Sequence, residues 1–204
     1  MDITEADGRL LDAAEALFYE HGIQAVGMDR IRAASGVSLK RLYQCFPSKD
    51  VLVEAYLRRR DGRWRGALAE YVAACPSAVE RPLAVFDWLE EWFGEPDFRG
   101  CAFINAYGEL GTASPAVSEA VRDHKAEVLR YLRGLVRDAG AAEPGPVAEQ
   151  LAVLADGAIT AAAIGGTPAP ARSARKAASA VLEAAGVAQR QPAGCPAPGG
   201  HTVG

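Results

Sequence analysis

The sequence of 204 residues has no run of about 20 apolar residues, the length that a membrane-spanning helix needs. The first ten residues, MDITEADGRL, are acidic, whereas a signal peptide begins with basic residues that an apolar stretch follows. We therefore expect no signal peptide here. Half of its residues are nevertheless hydrophobic, which is enough to fill a substantial core. These features predict a soluble, globular, cytoplasmic protein with no membrane partner.

The sequence lacks the patterns of metal sites, disulfide frameworks and catalytic centres. Its four cysteines show no paired spacing, so we expect them to be reduced and to hold no metal. The motifs HExxH and GxSxG and the phosphate-binding P-loop are absent, and the three histidines are far apart. We therefore expect no enzyme activity and no cofactor. His124 lies in the polar stretch RDHKAE, which predicts a solvated surface residue.

The net charge of −4 hides one basic segment. Between residues 28 and 65, ten Lys and Arg stand against four Asp and Glu, whereas the residues before and after this segment are acidic. Clustered Lys and Arg bind phosphates, so the pattern indicates a localised contact with a polyanion. An ordinary solvated helix carries similar charges, and composition alone does not separate the two interpretations.

Apolar residues recur at helical spacing and no strand-like alternation is present, which predicts an all-α fold. A first helix is expected to end at Gly22, a short second helix to span Met28–Ser35, and a short third helix to lie between Ser38 and Pro47. A long fourth helix is expected from Ser48 towards Cys75. Further helices are predicted at residues 81–93, 101–110, 115–139, 147–164 and 172–185. The Pro/Gly-rich residues 188–204 are expected to be a disordered tail.

The two short helices joined across Gly36-Val37-Ser38 predict a helix-turn-helix. Glycine permits the sharp turn, and Ser38 is a good N-cap for the second helix as well as a candidate DNA-binding residue. Leu42 and Phe46 are expected to face inward on that helix. The side chains left outside are Leu39, Lys40, Arg41, Tyr43 and Gln44. Such side chains contact base edges and phosphates in the major groove of DNA, which makes them candidate DNA-binding residues.

Three segments resemble the tetracycline-repressor (TetR) family of bacterial transcriptional regulators. LLDAAEALFYEHG is similar to the family's first helix, MDRIRAASGVSLKRLYQCFPSKDVL to its helix-turn-helix, and RGCAFINAYGEL to a segment of many ligand-binding domains. The most specific matches are Gly36-Val37-Ser38, Leu42-Tyr43, Phe46 and Pro47-Ser48-Lys49. The resemblance implies a three-helix DNA-binding domain at residues 1–50. A helical ligand-binding and dimerisation domain would follow at residues 51–187, and its first part, residues 51–75, would be the linking helix.

By this resemblance Tyr43 and Lys49 contact backbone phosphates of double-stranded DNA. Leu39, Lys40 and Arg41 occupy the positions that meet bases and neighbouring phosphates. Among them Arg41 is the candidate for bidentate recognition of guanine, a contact typically worth about 1–3 kcal/mol of discrimination.

Two candidate DNA-binding residues depart from the family's pattern. Gly27 stands where Ser or Thr usually caps the second helix, so one phosphate contact is either missing or made by the peptide N–H. Arg32 stands where a small or apolar residue is common, so it must extend outward or join the phosphate contacts.

Members of the family are homodimers in which the last two helices of each subunit form the interface. The corresponding segments here have faces of small and apolar residues that allow close helix contact. These candidate dimerisation residues are Leu151, Leu154, Ala158, Ala162, Ala178, Val181, Leu182 and Ala185. The alternative is that they complete the core of a single chain. A two-fold dimer would bind a palindromic operator with half-sites about 34–36 Å apart.

Aromatic residues are concentrated between residues 86 and 107, where they predict an apolar cavity for a small-molecule effector. The candidate ligand-binding residues are Phe86, Trp88, Trp92, Phe93, Phe103, Asn105 and Tyr107. Aromatic stripes at helical spacing also form ordinary cores, so this alternative stays open. The ligand would shift the linking helix and thereby separate the second helices of the two helix-turn-helix motifs, the recognition helices, so that the dimer releases DNA. Regulation through oxidation of Cys75 or Cys101, or through a partner protein, is the other hypothesis.

Overall fold

The computed structural model describes residues 2–187. Within this range the chain forms nine α-helices and no strand, which confirms the predicted all-α fold. The helices are α1 (Ile3–His21), α2 (Met28–Ser35), α3 (Leu39–Cys45), α4 (Lys49–Ala73), α5 (Arg81–Phe93), α6 (Ala102–Leu110), α7 (Pro115–Asp138), α8 (Pro144–Gly165) and α9 (Ala169–Ala184). The tail predicted at residues 188–204 lies outside the described residues.

Local capping residues set the helix-turn-helix as predicted. α2 ends at Gly36, whose φ of 66° is the left-handed conformation that glycine adopts without strain. The side chain of Ser38 accepts a hydrogen bond from the N–H of Arg41 at 3.3 Å, which caps α3. Ser48 does the same for the N–H of Val51 at the start of α4. The C-cap ends α2, and the two serine N-caps fix the starts of α3 and α4, so the three helices are separated by short turns.

The last two helices begin earlier than predicted. α8 starts at Pro144 rather than Val147, and α9 starts at Ala169 rather than Arg172. Both starts carry proline in the first turn. Proline fits there because the first N–H groups of a helix have no intrahelical partner to lose. The segments AAEPGP and GGTPAPA, which precede the predicted helix starts, therefore contribute their last residues to the helices.

One helix among the described residues, α8, is long and apolar enough to cross a membrane. It has 22 residues and a window of mean hydropathy 1.4, which corrects the expectation that no segment approaches this length and composition. Its apolar character comes largely from alanine, and 39% of the window is buried inside the protein. Core helices of soluble proteins meet the same criteria, so this single helix is weak evidence for a membrane.

The described chain divides into two compact units. The first contains the residues up to Gly62 together with Ala102–His124, and therefore holds α1, α2, α3, the start of α4, α6 and the start of α7. The second contains Arg63–Cys101 and the residues from Lys125 onward. The domain boundary predicted at residues 50 and 51 stays a prediction.

Leucine and isoleucine side chains from several helices form the core of the first unit. Leu10 of α1, Ile31 of α2, Leu42 of α3 and Leu52 of α4 have no exposed surface. Each fully buried side chain of this size stabilises the fold by about 1.5–3 kcal/mol relative to an exposed one. This shared core fixes the position of α3, which presents its other face to solvent.

His124 is buried, with 3% of its surface exposed, so the prediction of a solvated residue is wrong. Its Nδ1 lies 2.7 Å from Asp61 Oδ1, and its ring stacks on Phe103 with a centroid separation of 3.6 Å. The helical period explains the error, because position 124 shares the buried face of α7 with Val117 and Val121. The polar neighbours in RDHKAE lie on other faces of that helix.

The expectation that all cysteines are reduced is wrong for Cys75, which is disulfide-bonded. Spacing along the sequence gave no signal for this bond, because disulfide partners are set by the fold rather than by sequence separation. Cys101 is buried, with 7% of its surface exposed. Cys195 lies outside the described residues.

Candidate nucleic-acid interface

The exposed face of α3 carries the candidate DNA-binding residues Leu39, Lys40, Tyr43 and Gln44, and we call it the reading face. Leu42 is fully buried and Phe46 is 7% exposed, which confirms the predicted inward face. Leu39 and Tyr43 are large hydrophobic residues, yet they are 46% and 48% exposed. Lys40 and Gln44 are exposed as well, and Arg41 is half-buried. The face offers cationic and amide donors, a phenol hydroxyl and an apolar group for a thymine methyl.

The start of α2 has the missing cap that the sequence predicted. Gly27 occupies the N-cap position with φ −87° and ψ 161°, and no side chain caps the helix. The first N–H groups of α2 therefore lack a side-chain acceptor and are available to an anion. Arg32 extends outward, and its Nε lies 3.8 Å from Asp29 Oδ1 in an exposed ion pair. Whether either residue contacts a phosphate stays a prediction.

Lys49 begins α4 and lies near two carboxylates. Partial burial lowers the pKa of its ammonium group, and the negative charges of Glu109 and Asp50 raise it. Burial outweighs the two negative charges, so the net pKa of Lys49 is lowered from its ordinary value. Whether Lys49 contacts a phosphate stays a prediction.

Three arginines of the basic segment bind carboxylates of the protein itself. Arg58 is exposed, Arg59 is half-buried and Arg60 is buried. Their partners are Glu54 and Asp123 for Arg58, Asp12 and Glu15 for Arg59, and Glu15 for Arg60. The charge count from the sequence thus overstated the polyanion contact. Whether the cations of α2, α3 and the start of α4 contact DNA stays a prediction.

The buried pair between Glu15 of α1 and Arg60 of α4 was not found from the sequence. Arg60 Nη1 lies 2.8 Å from Glu15 Oε1, and the guanidinium carbon lies 4.0 Å from the centroid of the Tyr19 ring. Glu15 and Arg60 are 6% and 3% exposed. Because both charges are removed from water, each depends on the other for compensation. The pair joins the first helix to the linking helix within the first unit.

The predicted ligand-binding residues are divided between the two units. Phe86, Trp88, Trp92 and Phe93 are buried in the second unit, where Trp88 and Trp92 stack at 5.6 Å. Phe103 is buried against His124 in the first unit, and Asn105 and Tyr107 are exposed there. The rings of the second unit pack against one another as a core does. Their role in binding a ligand stays a prediction.

An open groove of about 680 Å³ lies in the second unit. It is lined by Tyr71, Asp87, Glu90, Glu91, Gly94, Glu95, Pro96 and Pro168, none of which was predicted to bind a ligand. Its carboxylates already have partners, since Asp87 binds Arg175 and Glu90 binds Arg172. No group of three or more His, Cys, Asp or Glu that could hold a metal ion is present in residues 2–187.

Most of the predicted dimerisation residues are buried within one chain. Leu151, Ala158, Ala162, Ala178 and Leu182 lie inside the second unit, where α8 packs against α9. The remaining three, Leu154, Val181 and Ala185, are half-buried. These positions serve the core of the single chain, as the alternative interpretation proposed. Whether the half-buried residues also contact a second copy stays a prediction.

Cys45 lies on α3 next to the reading residues and is half-buried. Burial, a hydrogen bond with Asp7 and the negative charge of Asp7 raise the pKa of its thiol to about 11. Arg41 acts in the opposite direction but does not compensate. Since the thiolate is the reactive form, Cys45 is a poor redox sensor at neutral pH.

The chain matches two family descriptions. Residues 10–56 match "Bacterial regulatory proteins, tetR family", and residues 78–178 match "Tetracyclin repressor-like, C-terminal domain". Among curated proteins, an uncharacterised HTH-type transcriptional regulator of Mycobacterium tuberculosis is 36% identical over 78 residues, which is 38% of this chain and 39% of that protein. The HTH-type transcriptional activator FasR of Mycolicibacterium smegmatis is 47% identical over 55 residues, 27% of this chain and 25% of FasR. The chain therefore spans about two fifths or less of the length of these curated relatives.

Solved structures match over much more of the chain. The crystal structure of a TetR-family transcriptional regulator from Streptomyces coelicolor is 32% identical, covers 89% of this chain and 96% of that chain, and has a TM-score of 0.82. A TetR-type regulator from Streptomyces avermitilis is also 32% identical, covers 90% and 99%, and has a TM-score of 0.76. With the exposed reading face of α3, these matches establish that the chain belongs to the TetR family of DNA-binding transcriptional regulators.

Proposed function

We propose that this regulator is a homodimeric, cytoplasmic repressor that binds a palindromic operator and leaves it when a small apolar or aromatic molecule binds. The observation that carries the proposal is the face of α3, where Leu39, Lys40, Tyr43 and Gln44 are exposed around the buried Leu42. Because the buried face of α3 packs into the core of the first unit, the exposed face can enter the major groove without any rearrangement of that core. Two such helices related by two-fold symmetry require a palindrome.

An exposed apolar stripe on α8 supports the proposed dimer. Val153 is 72% exposed and Ile164 is 84% exposed, and Gly157 and Ala161 between them are exposed as well. These positions recur at intervals of three or four residues, so they share one face of the helix. Exposed large aliphatic residues next to small ones allow a second helix to approach closely. We propose that this stripe, beside the core positions predicted from the sequence, contacts a second copy.

Replacing Ile164 by glutamate is expected to weaken the dimer by at least about tenfold, because an uncompensated carboxylate is costly to bury in an interface. Light scattering over a concentration series measures the dissociation constant. Wild type is expected to have twice the mass of one chain. Ile3→Glu is the matched control, since Ile3 of α1 is 50% exposed and lies in the other unit. A wild-type monomer, or equal dimerisation by both variants, would exclude the α8 interface.

The aromatic cluster of the second unit supports the proposed effector class. Trp64 meets Trp88 and Trp92 at centroid separations of 5.0 and 5.7 Å, and Trp92 meets Phe98 at 5.0 Å. A ligand that enters must displace rings and replace their contacts, which favours a flat apolar molecule. Such a molecule releases DNA only if it binds the DNA-incompetent state more tightly.

Tryptophan fluorescence offers a direct test of the effector, because all three tryptophans of the chain lie in this cluster. A panel of flat aromatic compounds is titrated into the protein, and those that change the emission are added to its DNA complex. We expect at least one of them to lower DNA affinity, measured by fluorescence polarisation of a labelled duplex. If every compound that changes the emission leaves DNA affinity unaltered, release by a ligand in this cluster is wrong.

We propose that the protein represses transcription, because repression is the more common mode in the TetR family, which this chain resembles. FasR is named an activator, but it matches only 27% of this chain. A reporter gene behind the bound sequence distinguishes the two modes. Expression that falls when the regulator is present is the expected result, and expression that rises would assign activation instead.

A further inference from the structure

Glu109, near the end of α6, binds the turn between α1 and α2 within the first unit. Its Oε1 accepts a hydrogen bond from the N–H of Ile23 at 3.0 Å, and its Oε2 accepts one from the N–H of Gln24 at 2.7 Å. The side-chain amide of Gln24 in turn donates to the backbone carbonyl of Glu109 at 2.6 Å. Three hydrogen bonds thus join two segments that are far apart in the sequence.

The turn is shaped to receive this carboxylate. Gly22 has φ +84°, and a Cβ at this position would lie 3.3 Å from both carboxylate oxygens. Successive N–H groups that follow a residue of positive φ converge on one point and bind anions. A carboxylate offers an acceptor to each N–H, and hydrogen bonds to charged acceptors are stronger than those between neutral groups. A carboxamide would offer one acceptor only.

The position of the turn decides the position of the reading helices. Ile23 and Val26 are 3% and 0% exposed, so the turn is anchored in the core immediately before α2. α2 leads to α3 through the turn at Gly36, and Ile31, Val37 and Leu42 pack the angle between the two helices. Fixing the backbone of the turn therefore fixes where the face of α3 lies.

The end of α6 is itself held in place. The hydroxyl of Ser118 on α7 donates to the carbonyl of Gly111 at 2.5 Å. Gly111 approaches Tyr107 so closely that a Cβ would lie 2.6 Å from the Tyr107 carbonyl oxygen. The carboxylate of Glu109 is thus presented by a fixed helix end, and it also lies near the charge of Lys49. α6 begins at Ala102, directly after the aromatic segment of the second unit ends in sequence.

We propose that Glu109 is a positioning residue for DNA binding, whose carboxylate holds the turn between α1 and α2 where α2 and α3 engage DNA together. This inference rests on the proposed reading face of α3. Glu109 itself touches no DNA. A displacement of α6 would withdraw the carboxylate from the turn and lower DNA affinity without unfolding the protein.

The test compares Glu109→Gln with Glu119→Gln in the full chain. Glu119 is exposed on α7, so the two variants have the same substitution and the same change of charge. The probes are a duplex selected by wild type from a randomised library and a scrambled duplex of equal length. We expect Glu109→Gln to bind the selected duplex about tenfold more weakly, because it loses a charge-assisted hydrogen bond. Its binding to the scrambled duplex is expected to change less than about twofold, since that binding depends on phosphates.

Amide hydrogen exchange at Ile23 and Gln24 is the second measurement. We expect faster exchange at both amides in Glu109→Gln and unchanged exchange rates in Glu119→Gln. If Glu109→Gln does not fold, Gln24→Ala replaces it, because it removes only the bond from Gln24 Nε2 to the Glu109 carbonyl. A loss of about threefold in affinity for the selected duplex is then expected.

The outcomes separate this inference from the function on which it rests. If wild type selects a duplex and Glu109→Gln binds it equally well, the positioning role is wrong while the reading face stands. Equal losses on selected and scrambled duplexes would show a general loss of folded protein and would also overturn it. If wild type selects no sequence, the reading face of α3 is wrong, and the role of Glu109 falls with it.

Discussion

Replacing Glu15 by glutamine is expected to lower the free energy of unfolding by about 3–5 kcal/mol, because it leaves the buried guanidinium of Arg60 without its counter-charge. Arg60 is 3% exposed and its Nη1 lies 2.8 Å from Glu15 Oε1, so water does not replace the lost carboxylate. Glutamine preserves the volume of the side chain, which excludes a cavity as the cause. Denaturant unfolding at a fixed protein concentration measures the change, since a dimer's stability depends on concentration.

The control for this prediction is Glu54→Gln. Glu54 binds Arg58 at 2.9 Å one helical turn away on α4, and 47% of the Arg58 side chain is exposed. Exposed pairs of this kind contribute only about 0–1 kcal/mol, so the control is expected to be nearly neutral. Equal effects of the two substitutions would show that the buried pair between α1 and α4 does not stabilise the fold as described.

Arg41→Ala is expected to lower affinity for the selected duplex by at least about thirtyfold. A bidentate contact to guanine is worth about 1–3 kcal/mol, and a symmetric dimer loses it in both half-sites. The total of about 2–6 kcal/mol corresponds to a factor of thirty or more in the dissociation constant. Fluorescence polarisation at near-physiological salt measures it, with the salt concentration held constant because phosphate contacts are salt-dependent.

Arg122→Ala is the matched control for Arg41→Ala. Arg122 lies exposed on α7 in the same compact unit, so its removal changes the net charge equally. Its affinity is expected to stay within about twofold of wild type, because Arg122 lies on α7 and not on the proposed DNA-contacting face of α3. If both variants lose affinity to the same extent, Arg41 contributes charge and not recognition of bases.

The sequence predicted the features that depend on neighbouring residues. Gly36 and Ser38 placed the end of α2 and the cap of α3, and the helical period separated the buried Leu42 from the exposed Tyr43. The family resemblance added expected roles that periodicity alone could not assign to these side chains. The starts of α8 and α9 were missed because the predicted ranges left out the prolines, which the structure places in the first turns of both helices.

Contacts between distant segments could not be predicted from the sequence. Glu15 and Arg60 are separated by 45 residues, and Ile23 and Glu109 by 86, so no local pattern connects them. The helical period also identified the inner face of α8 without showing whether that face meets α9 or a second copy. Leu151 and Ala158 prove to be buried in the single chain, whereas Val153 and Ile164 are exposed.

Selection from a randomised library of DNA duplexes tests most directly whether α3 reads DNA as part of a two-fold dimer. Purified wild-type protein is incubated with the library at near-physiological salt, and the bound duplexes are sequenced after several rounds. The account predicts a palindrome whose half-site centres are separated by one helical turn, about 10–10.5 base pairs, or a multiple of it. Enrichment of no sequence, or of a single unpaired half-site, would contradict it.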